Sequence, residues 1–117
     1  MISMNQIDKA RILLENGDLK KAERIYRDLI NSGIDNTEIY SNLAIICGKT
    51  FRDDEKIKLL KYVINKDPKN PIFYNNLGNT FAKKKIFDLS IKYFKKAIEI
   101  NPNNYIFQNN LGNAYKE

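Results

Sequence analysis

The sequence has no histidine, no tryptophan, a single cysteine and three prolines in 117 residues. Without histidine, the usual general base and the commonest metal ligand are missing. A lone Cys47 cannot build the disulfide scaffold of a small secreted domain. No apolar run approaches the roughly 18 residues that cross a bilayer. The N-terminal stretch "MISMNQIDKARILLENG" lacks the basic segment followed by an apolar block that marks a signal peptide. Glycine is sparse, and "GNT" at 78–80 and "GNA" at 112–114 sit inside helical patterns rather than in a phosphate-binding loop. These absences lead to the expectation of a non-enzymatic, cytoplasmic protein with no cofactor, no metal ion and no membrane partner.

Two remaining reactive features have structural explanations. Cys47 falls on the apolar stripe of its segment, which reads as a buried thiol rather than a nucleophile. Asp53, Asp54 and Glu55 open a helical segment, where the positive end of the helix dipole favours them. The net charge is +6, from 20 Lys and Arg against 14 Asp and Glu. Such a field draws acidic partners or nucleic acid at long range. The basic residues are nevertheless scattered along the chain, the densest run being "KKK" at 83–85, with no arginine stripe interleaved with aromatics. Solubility accounts for the charge, and no nucleic-acid partner is expected.

What is present is a repeat. "YNNLGN" at 74–79 returns as "NNLGN" at 109–113 and in blurred form as "YSNLA" at 40–44. Tyr40 to Tyr74, Pro68 to Pro102, Asn76 to Asn110 and Gly78 to Gly112 are all 34 residues apart. A fixed period in the range of about 20 to 50 residues marks a solenoid or array. The chain divides into 3–36, 37–70, 71–104 and a partial unit 105–117, read as one domain over 1–117. Within the third unit, Tyr74, Leu77, Gly78 and Phe81 form one helical stripe, and Phe87, Ile91, Phe94 and Ile98, with Ser90 and Ala97, form a second. A break near Lys85–Ile86 separates them, and "NPNN" at 101–104 closes the unit. Glycine inside a helix costs about 1 kcal/mol against alanine. Its presence at both Gly78 and Gly112 predicts a close helix crossing at each. Helices are predicted at 3–16, 19–32, 37–50, 53–66, 71–84, 87–100 and 105–117.

Tyr74-x-x-Leu77-Gly78-x-x-Phe81 followed by Ser90, Phe94, Ala97 and Pro102 resembles the tetratricopeptide repeat, or TPR. The second unit keeps Tyr40, Leu43 and Ala44, has Cys47 at an aromatic position, and places Lys56 in a small-residue slot. That lysine implies wider helix spacing there or a snorkelling stem. The first unit keeps Gly17, Asp18, Ala22, Tyr26 and Leu29. Its Gln6 and Lys9 suit a terminal repeat whose outer face meets water. The fourth keeps Gln108, Leu111, Gly112 and Tyr115. The resemblance implies an all-α fold: an α-solenoid of antiparallel helix pairs, three repeats plus one helix, wound into a right-handed superhelix.

The resemblance also implies an interaction module that holds a peptide or protein ligand in a concave groove lined by the first helix of each pair. Carried over by position, the groove takes Ser41, Asn42, Ile45 and Lys49, then Asn75, Asn76, Asn79 and Lys83, then Asn109, Asn110 and Asn113. On this reading Asn75, Asn76 and Asn79 point away from the core. Asn42, Asn76 and Asn110 lie one repeat apart, similar to the asparagine ladder of O-GlcNAc transferases. The same residues also serve as solvating or inter-repeat contacts in ordinary repeats, so both roles stay open. Asn79, Asn113 and Lys83 resemble part of the carboxylate clamp of chaperone-binding repeats, but Ser41, Asn75 and Asn109 stand where a clamp has Lys or Arg. Ile106, Leu111 and Tyr115 are expected to be half covered. They fit a fragment of a longer protein or a homo-oligomer formed through the C-terminal helix. A substrate-recruiting segment preceding a glycosyltransferase, methyltransferase or sulfotransferase domain is the alternative function, and a self-assembling array is a third.

Overall fold

The computed structural model describes residues 4–117. Among these there are seven helices and no strand: α1 (Gln6–Glu15), α2 (Leu19–Asn31), α3 (Thr37–Lys49), α4 (Asp53–Lys66), α5 (Pro71–Lys83), α6 (Phe87–Ile100) and α7 (Tyr105–Lys116). The fold is an all-α helical-repeat solenoid. Each predicted helix is present, with bounds within three residues of the predicted ones. The predicted start at residue 3 lies outside the described residues. By compactness the chain forms two units, residues 1–59 and 60–117, with the division inside α4.

Asparagine caps the first helix of each pair. The side chain of Asn36 accepts from the backbone N–H groups of Glu38 and Ile39, and that of Asn70 from Ile72. Asn104 likewise accepts from Ile106 and Phe107. These three caps are spaced by the repeat period. Each satisfies helix donors that would otherwise lack a partner, a contribution of about 1 kcal/mol. Pro71 takes the first position of α5, where its missing N–H costs nothing.

The turn inside each helix pair has its own periodic device. Gly17, Phe51 and Lys85 are 34 residues apart, and all have left-handed backbones, with φ of 84°, 62° and 62°. At these turns the next residue's N–H returns to a carbonyl five residues back: Asp18 to Leu13, Arg52 to Cys47, and Ile86 to Phe81. Glycine adopts this conformation freely, whereas Phe51 and Lys85 are held in it against their side-chain sterics.

In residues 1–59 the core gathers Ala10, Ala22, Tyr26, Ile39 and Ile46, flanked by Ile7, Leu14, Ile25 and Leu29. Gln6 and Lys9 face water. Cys47 is buried, and burial pushes its thiol up to about 11, as suits a structural thiol. Lys56, in the small-residue slot, lays its stem across Gly48, with Cδ 3.1 Å from where a Cβ would sit. The glycine makes room for the lysine. Over this core run charge-assisted bonds. Arg11 grips Glu38 with two bonds of 2.6 and 2.9 Å. Arg52 grips Glu23 with two of 2.7 and 2.6 Å. Arg27 joins Glu23 to Glu55. The bond from Arg52, then that from Arg27, holds the Glu23 carboxyl down at about 2 against the opposing effect of burial.

In residues 60–117 the helices of the α5–α6 pair approach closely. A Cβ on Gly78 would stand 2.5 Å from the ring of Phe94, and the Ser90 hydroxyl donates to the Gly78 carbonyl at 2.9 Å. Glycine is therefore required there by space. Tyr93 stacks on Phe81 at 5.6 Å and on Tyr74 at 6.5 Å between ring centroids. Ile64, Ile98, Ala97 and Phe107 complete this cluster. Tyr74 donates its hydroxyl to the Pro68 carbonyl, and Gln108, one repeat on, donates its amide to the Pro102 carbonyl. Gln108 thus closes the same loop as the tyrosine it replaces. The expected close crossing at Gly112 is absent, because no atom lies within 4 Å of a Cβ built there. Ile106 and Tyr115 on the same helix are also largely exposed.

Candidate functional site

The candidate residues divide between the two units. Asn42 belongs to the first, where it is half-buried on α3 and donates its amide to the Tyr26 hydroxyl at 3.0 Å. Burial raises Tyr26 above its ordinary value, and this bond opposes the rise. Moved on by one and two periods, the Asn42–Tyr26 pair becomes Asn76–Leu60 and Asn110–Phe94. Neither Leu60 nor Phe94 has a hydroxyl to accept the amide. The asparagines at these repeat positions therefore have different surroundings despite their even spacing.

The remaining candidates lie on α5 and α7. Asn75 is buried, in contrast to the expectation that it points away from the core. Its carbonyl oxygen accepts from the amide of Asn110 at 2.9 Å, which ties α5 to α7. The sequence offered no sign of this pair, since the two residues are 35 positions apart and hence out of step with the repeat. Asn76 is half-buried, while Asn79, Lys83, Asn109 and Asn113 are exposed. Among the described residues, the side-chain amides of Asn76, Asn79, Asn109 and Asn113 make no hydrogen bond.

Asn79, Lys83, Asn110 and Asn113 meet at a cleft of about 430 Å³. Ala82, Lys85, Phe87, Phe94, Ala114 and Glu117 complete its lining. Asn75, Asn76 and Asn109 do not line it. Neither the apolar side of the cleft at Phe87 nor the lysine at the turn is evident from the sequence. The sequence pattern places Phe87 and Phe94 in a packing stripe and marks Lys85 only as a break. The open side of Gly112 belongs to the same helix as Asn113 and Ala114, so α7 leaves part of the α6 surface uncovered. Chemically, the cleft presents amides that both donate and accept, two ammonium groups and one carboxylate around the Phe87 ring, with Phe94 buried behind it. Such a lining can donate and accept hydrogen bonds and attract negative charge. Among the described residues, no group of three or more Cys, Asp and Glu side chains is placed to hold a metal ion. No helix there is long and apolar enough to cross a membrane.

The sequence of this region matches known repeats. Residues 71–104 match one model of the tetratricopeptide repeat, and residues 93–117 match another. No curated protein sequence matches the chain. Among solved structures, MamA superposes over 95% of this chain and 61% of its own with a TM-score of 0.89 at 18% identity. YrrB, described as a TPR protein with an unusual peptide-binding site, covers 95% of this chain and 57% of its own at a TM-score of 0.86 and 14% identity. The first TPR of Spaghetti (RPAP3), bound to the HSP90 peptide SRMEEVD, covers 95% and 88% at a TM-score of 0.86 and 14% identity. This chain spans about three-fifths of the length of MamA and YrrB. Residues 71–117 thus match the tetratricopeptide repeat by sequence, and the chain as a whole shares the helical-repeat fold of the solved structures.

Proposed function

We propose that this protein is an interaction module that holds a peptide or a protein segment in the cleft on α5 and α7. The observation that carries the reading is the set of side-chain amides at Asn79 and Asn113 that face the cleft without a bond of their own. Burying such groups against an apolar ligand surface is costly, so the fitting ligand supplies donors and acceptors, as an extended backbone does. Lys83 and Lys85 add positive charge, and Phe87, backed by the buried Phe94, offers an apolar floor for one side chain. Peptide-bound and peptide-binding structures of similar fold support the class of ligand. Asn76 and Asn109 stand on the same two helices outside the cleft and extend the surface available to a longer ligand.

The test starts from peptides selected on the full chain by display. Their affinity is then titrated for the wild type and for Asn79→Ala with Asn113→Ala. A loss of about tenfold, equivalent to 1.4 kcal/mol, is expected with an unchanged thermal melt. Selected peptides that bind both proteins equally would sink the reading. Asn110→Ala is the poorer probe, because it also strands the buried Asn75 amide.

The open face of α7 favours a second reading, self-association through Ile106, Leu111 and Tyr115. Sedimentation over a concentration series decides it, since a strict monomer at every concentration excludes it.

A further inference from the structure

A second basic feature lies apart from the cleft and shares no residue with it. Lys92, Lys95, Lys96 and Glu99 stand at i, i+3, i+4 and i+7 on α6, one face of that helix. Together with Tyr74 and Tyr93 they line a cavity of about 390 Å³. All three lysines are exposed. Glu99 is the only carboxylate in the lining, and it meets Lys96 in an exposed pair at 3.8 Å. The Lys92 ammonium sits 5.7 Å from the centre of the Tyr93 ring, and that of Lys95 sits 5.7 Å from the Tyr115 ring. These rings draw the ammonium groups onto the protein surface around the cavity. The surroundings strengthen the field, because residues 60–117 hold 10 Lys against 4 Asp and Glu.

We propose that this face of α6 is a docking site for an acidic peptide segment that places one apolar side chain in the cavity beside the stacked Tyr74 and Tyr93. Charge complementarity selects the acidic partner, since three ammonium groups face one carboxylate. The cavity has room for a single large side chain and its backbone. The rings argue against nucleic acid as the occupant. Bases need free aromatic faces to stack on. Tyr93 is stacked against Phe81 and Tyr74, and Lys92 lies over its ring. Tyr115 has Lys95 over its ring. Residues 60–117 also contain no arginine.

The probe is a fluorescein-labelled nonapeptide of Asp and Glu with a central Phe, titrated against the full chain by anisotropy. Binding is expected to weaken as salt rises. Lys92→Glu with Lys96→Glu should weaken it about tenfold or more. Lys61→Glu with Lys116→Glu, which makes the same change of net charge at exposed positions, should weaken it less than about threefold. Lys92→Ala with Lys96→Ala provides the milder variant if charge reversal harms folding. Replacing the peptide's Phe by Ala should also weaken binding, and Asn79→Ala with Asn113→Ala should leave it unchanged, which separates this face from the cleft. The proposal is overturned if the peptide does not bind, or if both pairs of charge reversals act alike. It is also overturned if a single-stranded oligothymidylate of equal charge displaces the peptide at an equal or lower concentration.

Discussion

The two halves of the chain run on one 34-residue frame and cover it with different chemistry. Residues 1–59 hold 10 Lys and Arg against 10 Asp and Glu, while residues 60–117 hold 10 Lys against 4 acids. All four arginines lie in the first half, whereas 10 of the 13 aromatic residues and 11 of the 16 asparagines lie in the second. In the first half, arginine and carboxylate groups meet each other: Arg11 with Glu38, and Arg27 and Arg52 with Glu23. In the second, the lysines outnumber the acids, and most of the exposed asparagine amides lie unbonded. A surface whose arginines and carboxylates are largely paired with each other has less charge left for a partner. One with surplus charge and unbonded amides is suited to binding, and both the cleft and the α6 face lie within residues 60–117.

The sharpest way to test the comparison lies within the second half, at two glycines that one sequence pattern treats as equal. Gly78→Ala drives a Cβ into the ring of Phe94, which is almost wholly buried and has nowhere to move. The expected loss is about 1–3 kcal/mol or more, net of the better helix propensity of alanine. Gly112→Ala meets open space. It should stabilise by up to about 1 kcal/mol. Chemical denaturation of the two variants reads the opposite signs directly. A stabilising Gly78→Ala would mean that α5 and α6 are not packed as described.

The next effect belongs to the first half and has a pH signature. Glu23 is held at about 2 in the folded protein, below the 4.5 of the free side chain. Its stabilisation is therefore fully present above about pH 4.5 and is lost as the pH falls toward 2. The side chain is mostly covered, but Arg27 and Arg52 are each more than a third exposed, so solvent screening reduces the contribution to about 1–2 kcal/mol. Glu23→Gln should lower the denaturation midpoint at pH 7 and flatten its fall over that acid window. If the wild type and the variant lose stability in parallel from pH 4.5 to 2, the Arg52–Glu23 bond does not carry the stability assigned to it.

The helices and their packing stripes were legible because apolar positions recur with both the helical and the 34-residue period. Tyr74, Leu77, Gly78 and Phe81 share one apolar stripe, and all four are buried. The cleft was legible only in part, for reasons that are local and physical. An asparagine carries the same letter whether it caps a helix, as Asn104 does, binds a neighbouring amide, as Asn110 does, or faces open space, as Asn113 does. Three-dimensional partners decide among these roles, and the Asn75–Asn110 partner is out of register with the repeat. Lys56 looked anomalous until Gly48, eight residues earlier, proved to make room for it. Gly112 matched the pattern of Gly78 without the neighbour that gives Gly78 its purpose.

The smallest predicted effect separates turn strain from function and joins the halves through one shared position. Phe51 and Lys85 occupy the left-handed backbone that Gly17 occupies freely. Each should gain up to about 1 kcal/mol on replacement by glycine, through relief of the side-chain clash, less the added entropy of the unfolded chain. Gly17→Ala should lose a similar amount. The two gains should match if the turn alone matters. Their consequences for binding should not match, because Lys85 lines the cleft and Phe51 lies in the other half of the chain. Lys85→Gly is therefore expected to raise the melting temperature while weakening a cleft-selected peptide about two- to threefold, an effect of the size of one exposed charge pair. Phe51→Gly should raise it and leave that peptide unaffected. A lysine kept in a strained turn where it faces a ligand is the pattern expected when stability yields to binding. Equal peptide affinity in both variants would reduce Lys85 to an accident of the turn.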